Sequence, residues 1–267
     1  MEDTTMVKEN VRTARDFFES YTAKFLNNTD ANLAASMLLM KDHSLRVATL
    51  SAQIAANLEL EEDRVLLSEM IGLLHDVGRF EQLQTDGSFD DQKSEDHGET
   101  ALSLLNEQDF YLALPEKQQK IITAVIRNHT KEAISLKDDE QNIQFSQILR
   151  DADKLDLWKI CVENLQRNGT FKLDSISWNL PHISTVNRMI LKNIRNNKPV
   201  RKKDVQSVND FKLMVMSMVF DLNFRYSFQL LSEKQWIKKL YDSMSKRDEV
   251  IDAYRELRLF IENKFVE

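Results

Sequence analysis

Apolar residues return every three to four positions along most of this chain, which is the period of amphipathic helices. Residues 7–26 carry Phe17, Tyr21 and Phe25 at that spacing. The polar run NNTD at 27–30 breaks the pattern. A second helix is predicted over 31–56, with the stripe Leu39, His43, Val47, Leu50 and Ile54, so that His43 points inward with core residues. A third is predicted over 62–77, with Gly78 as its stop. The polar stretch 80–95 reads as a loop, and His97 follows at a helix start beside Asp96 and Glu99. Pro115 opens a helix whose apolar face holds Ile122, Val125, Ile126 and His129. Over 141–165, Leu149, Asp153 and Leu157 recur at spacing four before QRNGTFKLDS ends the helix. Residues 183–267 read as three or four more helices. With no repeat, low-complexity tract or linker, the pattern predicts one all-α unit over 1–267. Within it a helical-bundle core spans 31–165, followed by additional C-terminal helices over 166–267.

Composition supports an all-helical fold. The 267 residues include 5 Gly and 3 Pro, about a third of average usage, so tight hairpins are few. Hydrophobic residues make up 42 %, enough for a substantial core. The single cysteine, Cys161, excludes an intramolecular disulfide and fits a reducing, cytoplasmic setting. The first residues lack the apolar stretch and small-residue cleavage site of a signal peptide. No apolar run reaches the length of about 18 residues that spans a bilayer, so no membrane partner is expected. The net charge of −7 argues against stable binding of long nucleic acid. A small phosphorylated substrate stays compatible, because only the local field of a site matters to it.

Four of the five histidines are placed for chemistry: His43, His75 in LLHDVGRF, His97 in SEDHGE and His129 in IRNHT. An acidic run, RDADKLD, follows, offering Asp151, Asp153 and Asp156. Imidazole and carboxylate are the ligands of catalytic divalent metals. No single helix can surround an ion, so ligands from several helices converging in a bundle are what a metal site needs. His43 or His129 alone would read as a hydrogen-bonded core residue. The ordered set, with the doublet His75-Asp76, reads as a metal-dependent hydrolase.

The order His43, His75-Asp76, His97, His129, Asp153 resembles the HD-domain superfamily of metal-dependent phosphohydrolases in its longer H…HD…H…H…D form. The resemblance covers about residues 31–163. It implies a first metal site of His43, His75, Asp76 and Asp153. Asp76 then bridges to a second ion held by His97 and His129, and a bridging water acts as nucleophile. It selects Asp153 among the three acids, because relatives place the ligand in an Ala-Asp pair, here Ala152-Asp153. The implied cofactor is one or two divalent ions, with Mn, Fe, Ni, Co and Mg all compatible. The implied activity is cleavage of a phosphomonoester or phosphodiester of a small molecule, a nucleotide foremost. Two alternatives are a non-catalytic metal-binding signalling module and a di-iron oxygenase of the same fold.

Arg79, where many relatives carry Lys, is expected to act at the site and hold a phosphate oxygen. Lys93 is a second catalytic and phosphate-binding candidate, weighed against a solvated loop charge. VFDLNFRYSF places Asp221 and Arg225 at i, i+4 of an otherwise apolar helix, either as a local ion pair or with Arg225 as a substrate contact. His182, Cys161, Trp158 and Phe145 read as residues without a role at the site. The basic segment Arg188, Lys192, Arg195, Lys198, Arg201, Lys202 and Lys203 reads as a solvated face.

Overall fold

A computed structural model of the chain describes residues 2–27, 30–87, 96–134, 139–166, 169, 171–172, 176, 178 and 180–265, with side chains from Val7 onward. The described residues are mostly helical, without a strand and with one isolated bridge between Leu165 and Phe171. They pack as two compact units, Met1–Asp153 and Lys154–Glu267.

The first unit contains α1 (Glu2–Leu26), α2 (Ala31–Asn57), α3 (Glu62–Leu74), α4 (Arg79–Asp86), α5 (His97–Leu105), the short α6 (Asp109–Leu112), α7 (Glu116–His129) and the start of α8 (Glu140–Glu163). Asp30 caps α2, its Oδ1 accepting from the amides of Asn32 and Leu33 at 2.8 and 3.0 Å. One face of α2 buries Met37, Met40, His43, Ser44, Val47, Ala48, Ser51, Ile54 and Ala55. The small members of that face let α3 come close. A Cβ on Gly72 would meet Ser51 Oγ at 2.8 Å and Ala48 Cα at 2.9 Å, so only glycine fits there. This close crossing sets the distance between His43 on α2 and the turn that follows α3. Phe17, Tyr21, Phe25 and Phe80 form an aromatic cluster between α1 and α4, with ring centroids 5.1–6.1 Å apart.

Three expectations for this unit need correction. The third helix ends at Leu74, and His75–Gly78 is a tight turn in which Arg79 N donates to Asp76 O at 3.0 Å. Gly78 does not supply a left-handed stop, since its φ is −67°. It is small because α5 lies against it: a Cβ would run into the carbonyl of His97 and come within 2.8 Å of Ala101 N. The expected loop at 80–95 begins as helix α4, which buries Phe80, Gln82 and Leu83 and ends at Gly87 with φ 63°. Glu81, Gln84, Thr85 and Asp86 face outward, and only two apolar side chains carry the period.

The second unit contains the rest of α8, then α9 (Arg188–Arg195), α10 (Val208–Ser217), α11 (Arg225–Lys234), α12 (Trp236–Asp242) and α13 (Asp248–Asn263), with 3₁₀ turns at Lys202–Asp204 and Met218–Asp221. Five α-helices after residue 183 thus replace the three or four expected. Ile190, Ile194, Phe211, Leu213, Val215, Leu240, Val250 and Leu257 are buried there. Trp158 is fully buried and donates Nε1–H to Val215 O at 2.8 Å. Burial pushes the Cys161 thiol up, as befits a core residue. Phe145, in the first unit, is likewise buried, and His182 is exposed. Asp221 and Arg225 do not share a helix: the first ends a 3₁₀ turn and the second starts α11. Asp221 pairs instead with Lys154 at 2.8 Å. Among the described residues, no helix is long and apolar enough to cross a membrane.

Candidate metal centre

All six expected ligands lie in the first unit and come together. His43 enters from the buried face of α2, His75 and Asp76 from the turn after α3, and His97 from the first position of α5. His129 is the last residue of α7, and Asp153 comes from α8. Asp96 fixes the start of α5 by accepting from Gly98 N at 2.9 Å. His75 is fully buried, and His43, Asp76 and His97 are nearly so.

Asp76 divides the set in two. Its Oδ2 lies 3.5 Å from His75 Nε2 and 3.9 Å from His43 Nε2. Its Oδ1 lies 3.3 Å from His129 Nε2 and 3.4 Å from His97 Nε2. Asp153 Oδ1 closes the first half at 3.3 Å from His43 Nε2. His97 Nε2 and His129 Nε2 are 3.1 Å apart in the second. Metal–ligand bonds of about 2.0–2.1 Å place neighbouring ligand atoms about 3.0–3.4 Å from one another, a range that four of these six separations meet and that Asp76 Oδ2 exceeds toward His75 and His43. The groups His43, His75, Asp153 and His75, Asp76, His129 each bring their ligand atoms within 4.8 Å of one another.

The chemistry of the donors fits a divalent ion. His75 Nδ1 donates to Gly72 O at 2.9 Å, and His129 Nδ1 to Ile126 O at 2.5 Å. With the proton on Nδ1, each Nε2 presents a lone pair, the orientation that metal-ligating histidines take. His75 Nε2 is buried without a hydrogen-bond partner, although the atoms around it are polar. An orphaned buried acceptor is costly unless something binds it.

Burial pushes the His75 imidazole down to about 4, against an upward pull from Asp76 and Asp153. Burial acts to raise the Asp76 carboxyl, but His75, Arg79, His129 and His97 outweigh it and hold the group well below the usual carboxylate range. Burial raises Asp153 as well, and the hydrogen bond and charge of His43 more than reverse it. Both carboxylates are therefore ionised and His75 neutral near pH 7, the states a metal requires. The depressed His75 value sets a sign. An unfolded chain takes up this proton near 6.5, whereas the fold refuses it down to about 4. Metal-free protein is therefore expected to lose stability as pH falls through that window, by on the order of 2–3 kcal/mol. Urea titrations at pH 7 and pH 5 measure it, and His75→Asn should flatten the slope. An unchanged slope in that variant would contradict the assignment.

Asp153 rather than Asp151 joins the groups with metal-binding geometry among the described residues. Two residues along a helix turn the side chain by about 200°, and Asp151 is fully buried elsewhere on α8. Asp153→Asn is expected to lower metal content more than Asp151→Asn, by elemental analysis of both variants. Greater loss from the Asp151 change would overturn the assignment.

Arg79 also reaches the site. Its Nε lies 3.6 Å from Asp76 Oδ1, and its Nη1 donates to Gln82 Oε1 at 2.9 Å. Gln82 was not foreseen, because its i, i+3 relation to Arg79 exists only once α4 is a helix. Lys93 lies outside the described residues, and Arg225 is an exposed residue of the second unit.

Residues 40–158 match the family model of the HD domain. The chain carries an HD domain. HD domains are helical, bind divalent metals and are typically metal-dependent phosphohydrolases. The HD-domain segment runs from α2 to α8 and so contains all six clustered side chains. No curated protein and no solved structure matches the chain significantly.

Proposed function

We propose that this HD domain hydrolyses a phosphomonoester or phosphodiester of a small molecule, with a nucleotide as the substrate class. The observation that carries this reading is the division at Asp76, whose two oxygens face different pairs of histidines. In it, His43, His75, Asp153 and Asp76 would hold one divalent ion, and His97 and His129, with Asp76, would hold another. Such ions would supply Lewis-acid charge toward the phosphate oxygens and lower the pKa of a water. The residues do the rest. The Nδ1 hydrogen bonds of His75 and His129 fix the ring directions before substrate arrives. Arg79, beside Asp76, adds positive charge that offsets an anionic substrate. Its partner Gln82 holds the guanidinium in place. Lys93, by its place in the chain shortly before His97, is a further candidate phosphate contact, and the resemblance to HD phosphohydrolases makes Arg225 another.

Metal-stripped and Mn²⁺-loaded protein should be compared on p-nitrophenyl phosphate, bis(p-nitrophenyl) phosphate and a panel of nucleotides. The expected result is metal-dependent hydrolysis, with the preferred ester separating monoesterase from diesterase. Loaded protein that turns over none of them would favour a binding module that keeps the metal fold. Oxygen-dependent changes in iron absorbance would favour an oxygenase.

A further inference from the structure

The turn by which the chain leaves α7, just after His129, is gripped by a side chain from α8. Arg150 is buried. Its Nη1 donates to Lys131 O at 2.7 Å and to Asn128 O at 3.4 Å, and its Nη2 donates to Glu132 O at 3.3 Å. Lys131 and Glu132 follow α7 just beyond its C-terminus, where the negative end of the helix dipole favours a cation. The guanidinium supplies that charge, and its planar fork spans several acceptors at once where an ammonium cannot. Asn128 and Lys131 flank His129 in the chain, and the His129 ring is tied into the same turn through Ile126 O. Moving that turn moves His129 Nε2.

Arg150 stands three residues before Asp153 on α8, so the two side chains leave the helix on the same flank. One helix thus offers a ligand to one half of the centre and holds the backbone that presents a ligand to the other. We propose that Arg150 is the positioning residue of the second half-site. By gripping the His129 turn it fixes the spacing between the two halves and sets the affinity of the second ion. This rests on the two-ion reading above.

The test uses the full chain with Arg150→Lys and Arg150→Gln, and His129→Ala as a control. Mn²⁺ binding is followed by calorimetry and by electron paramagnetic resonance. In the Arg150 variants the first equivalent should bind as in the parent protein, and the second should weaken by about tenfold. The spectrum at two equivalents should shift from a spin-coupled pair towards the six-line signal of isolated Mn²⁺. Arg150→Lys, which keeps the buried charge, is the milder change and decides the matter if Arg150→Gln unfolds. Equal weakening of both ions, no change in either, or unfolding of both variants would overturn the positioning role. If the parent protein binds only one Mn²⁺, the two-ion reading itself fails, whatever the Arg150 variants do, and if His129→Ala binds the second ion as tightly as the parent, His129 is not its ligand.

Discussion

Asp76→Ala is expected to lower kcat by at least ~10³-fold while the protein stays helical. Asp76 is the group that both halves of the centre share: four imidazole Nε2 atoms lie 3.3–3.9 Å from its two oxygens. Removing it takes away the bridge and the negative charge facing Arg79. The fold should survive, because Asp76 sits in a turn whose backbone hydrogen bonds do not involve its side chain. Asp76→Asn, which keeps the shape and one carbonyl oxygen, should retain more metal than Asp76→Ala. Turnover, elemental analysis and far-ultraviolet circular dichroism together read the outcome. Normal turnover in Asp76→Ala would remove the bridging role. A collapse of helical signal in parallel with metal loss would mark the centre as structural.

The second large effect concerns His97 and His129. Their Nε2 atoms are 3.1 Å apart, and both face Asp76 Oδ1. Replacing both by Ala should remove about one ion per chain and most of the activity, by on the order of 10²-fold or more. The ion held by His43, His75 and Asp153 should stay, because those residues come from α2, the turn after α3, and α8. Atomic emission of the double variant against the parent gives the count. If both metal content and rate are unchanged, the two histidines are ordinary polar groups and the two-ion mechanism falls with them.

Much of this architecture is legible in the sequence, for a physical reason. Helices that bury one face leave a 3.6-residue period, and α2 and α8 announce themselves that way within a residue or two at each end, while the starts of α5 and α7 are marked by Asp96-His97 and Pro115. The site is legible because ligands must be imidazoles and carboxylates, and few such residues sit on apolar faces. His43 and His129 stand out as the polar members of otherwise apolar stripes. The places where sequence reasoning stops are equally physical. α4 buries only Phe80, Gln82 and Leu83 in eight residues, too few to display a period. Gly78 reads as a helix stop, yet its smallness serves contact with α5, a tertiary fact with no local signature. Asp221 and Arg225 fit a helical spacing that the chain does not use, because it turns between Leu222 and Phe224. Arg150 was invisible because its partners are backbone carbonyls, which every residue possesses. Its sequence neighbourhood, RDADKLD, draws attention to the acids instead.

Six side chains of the HD domain are proposed to hold two divalent ions across Asp76. The most direct measurement is the metal content of protein purified without chelator and then titrated with Mn²⁺, read by elemental analysis after removal of loose ions. Two tightly held divalent ions per chain are expected at saturation, falling towards one in the His97, His129 double variant. Stoichiometry near zero after titration, with no activity restored by Mn²⁺ or Fe²⁺, would contradict it.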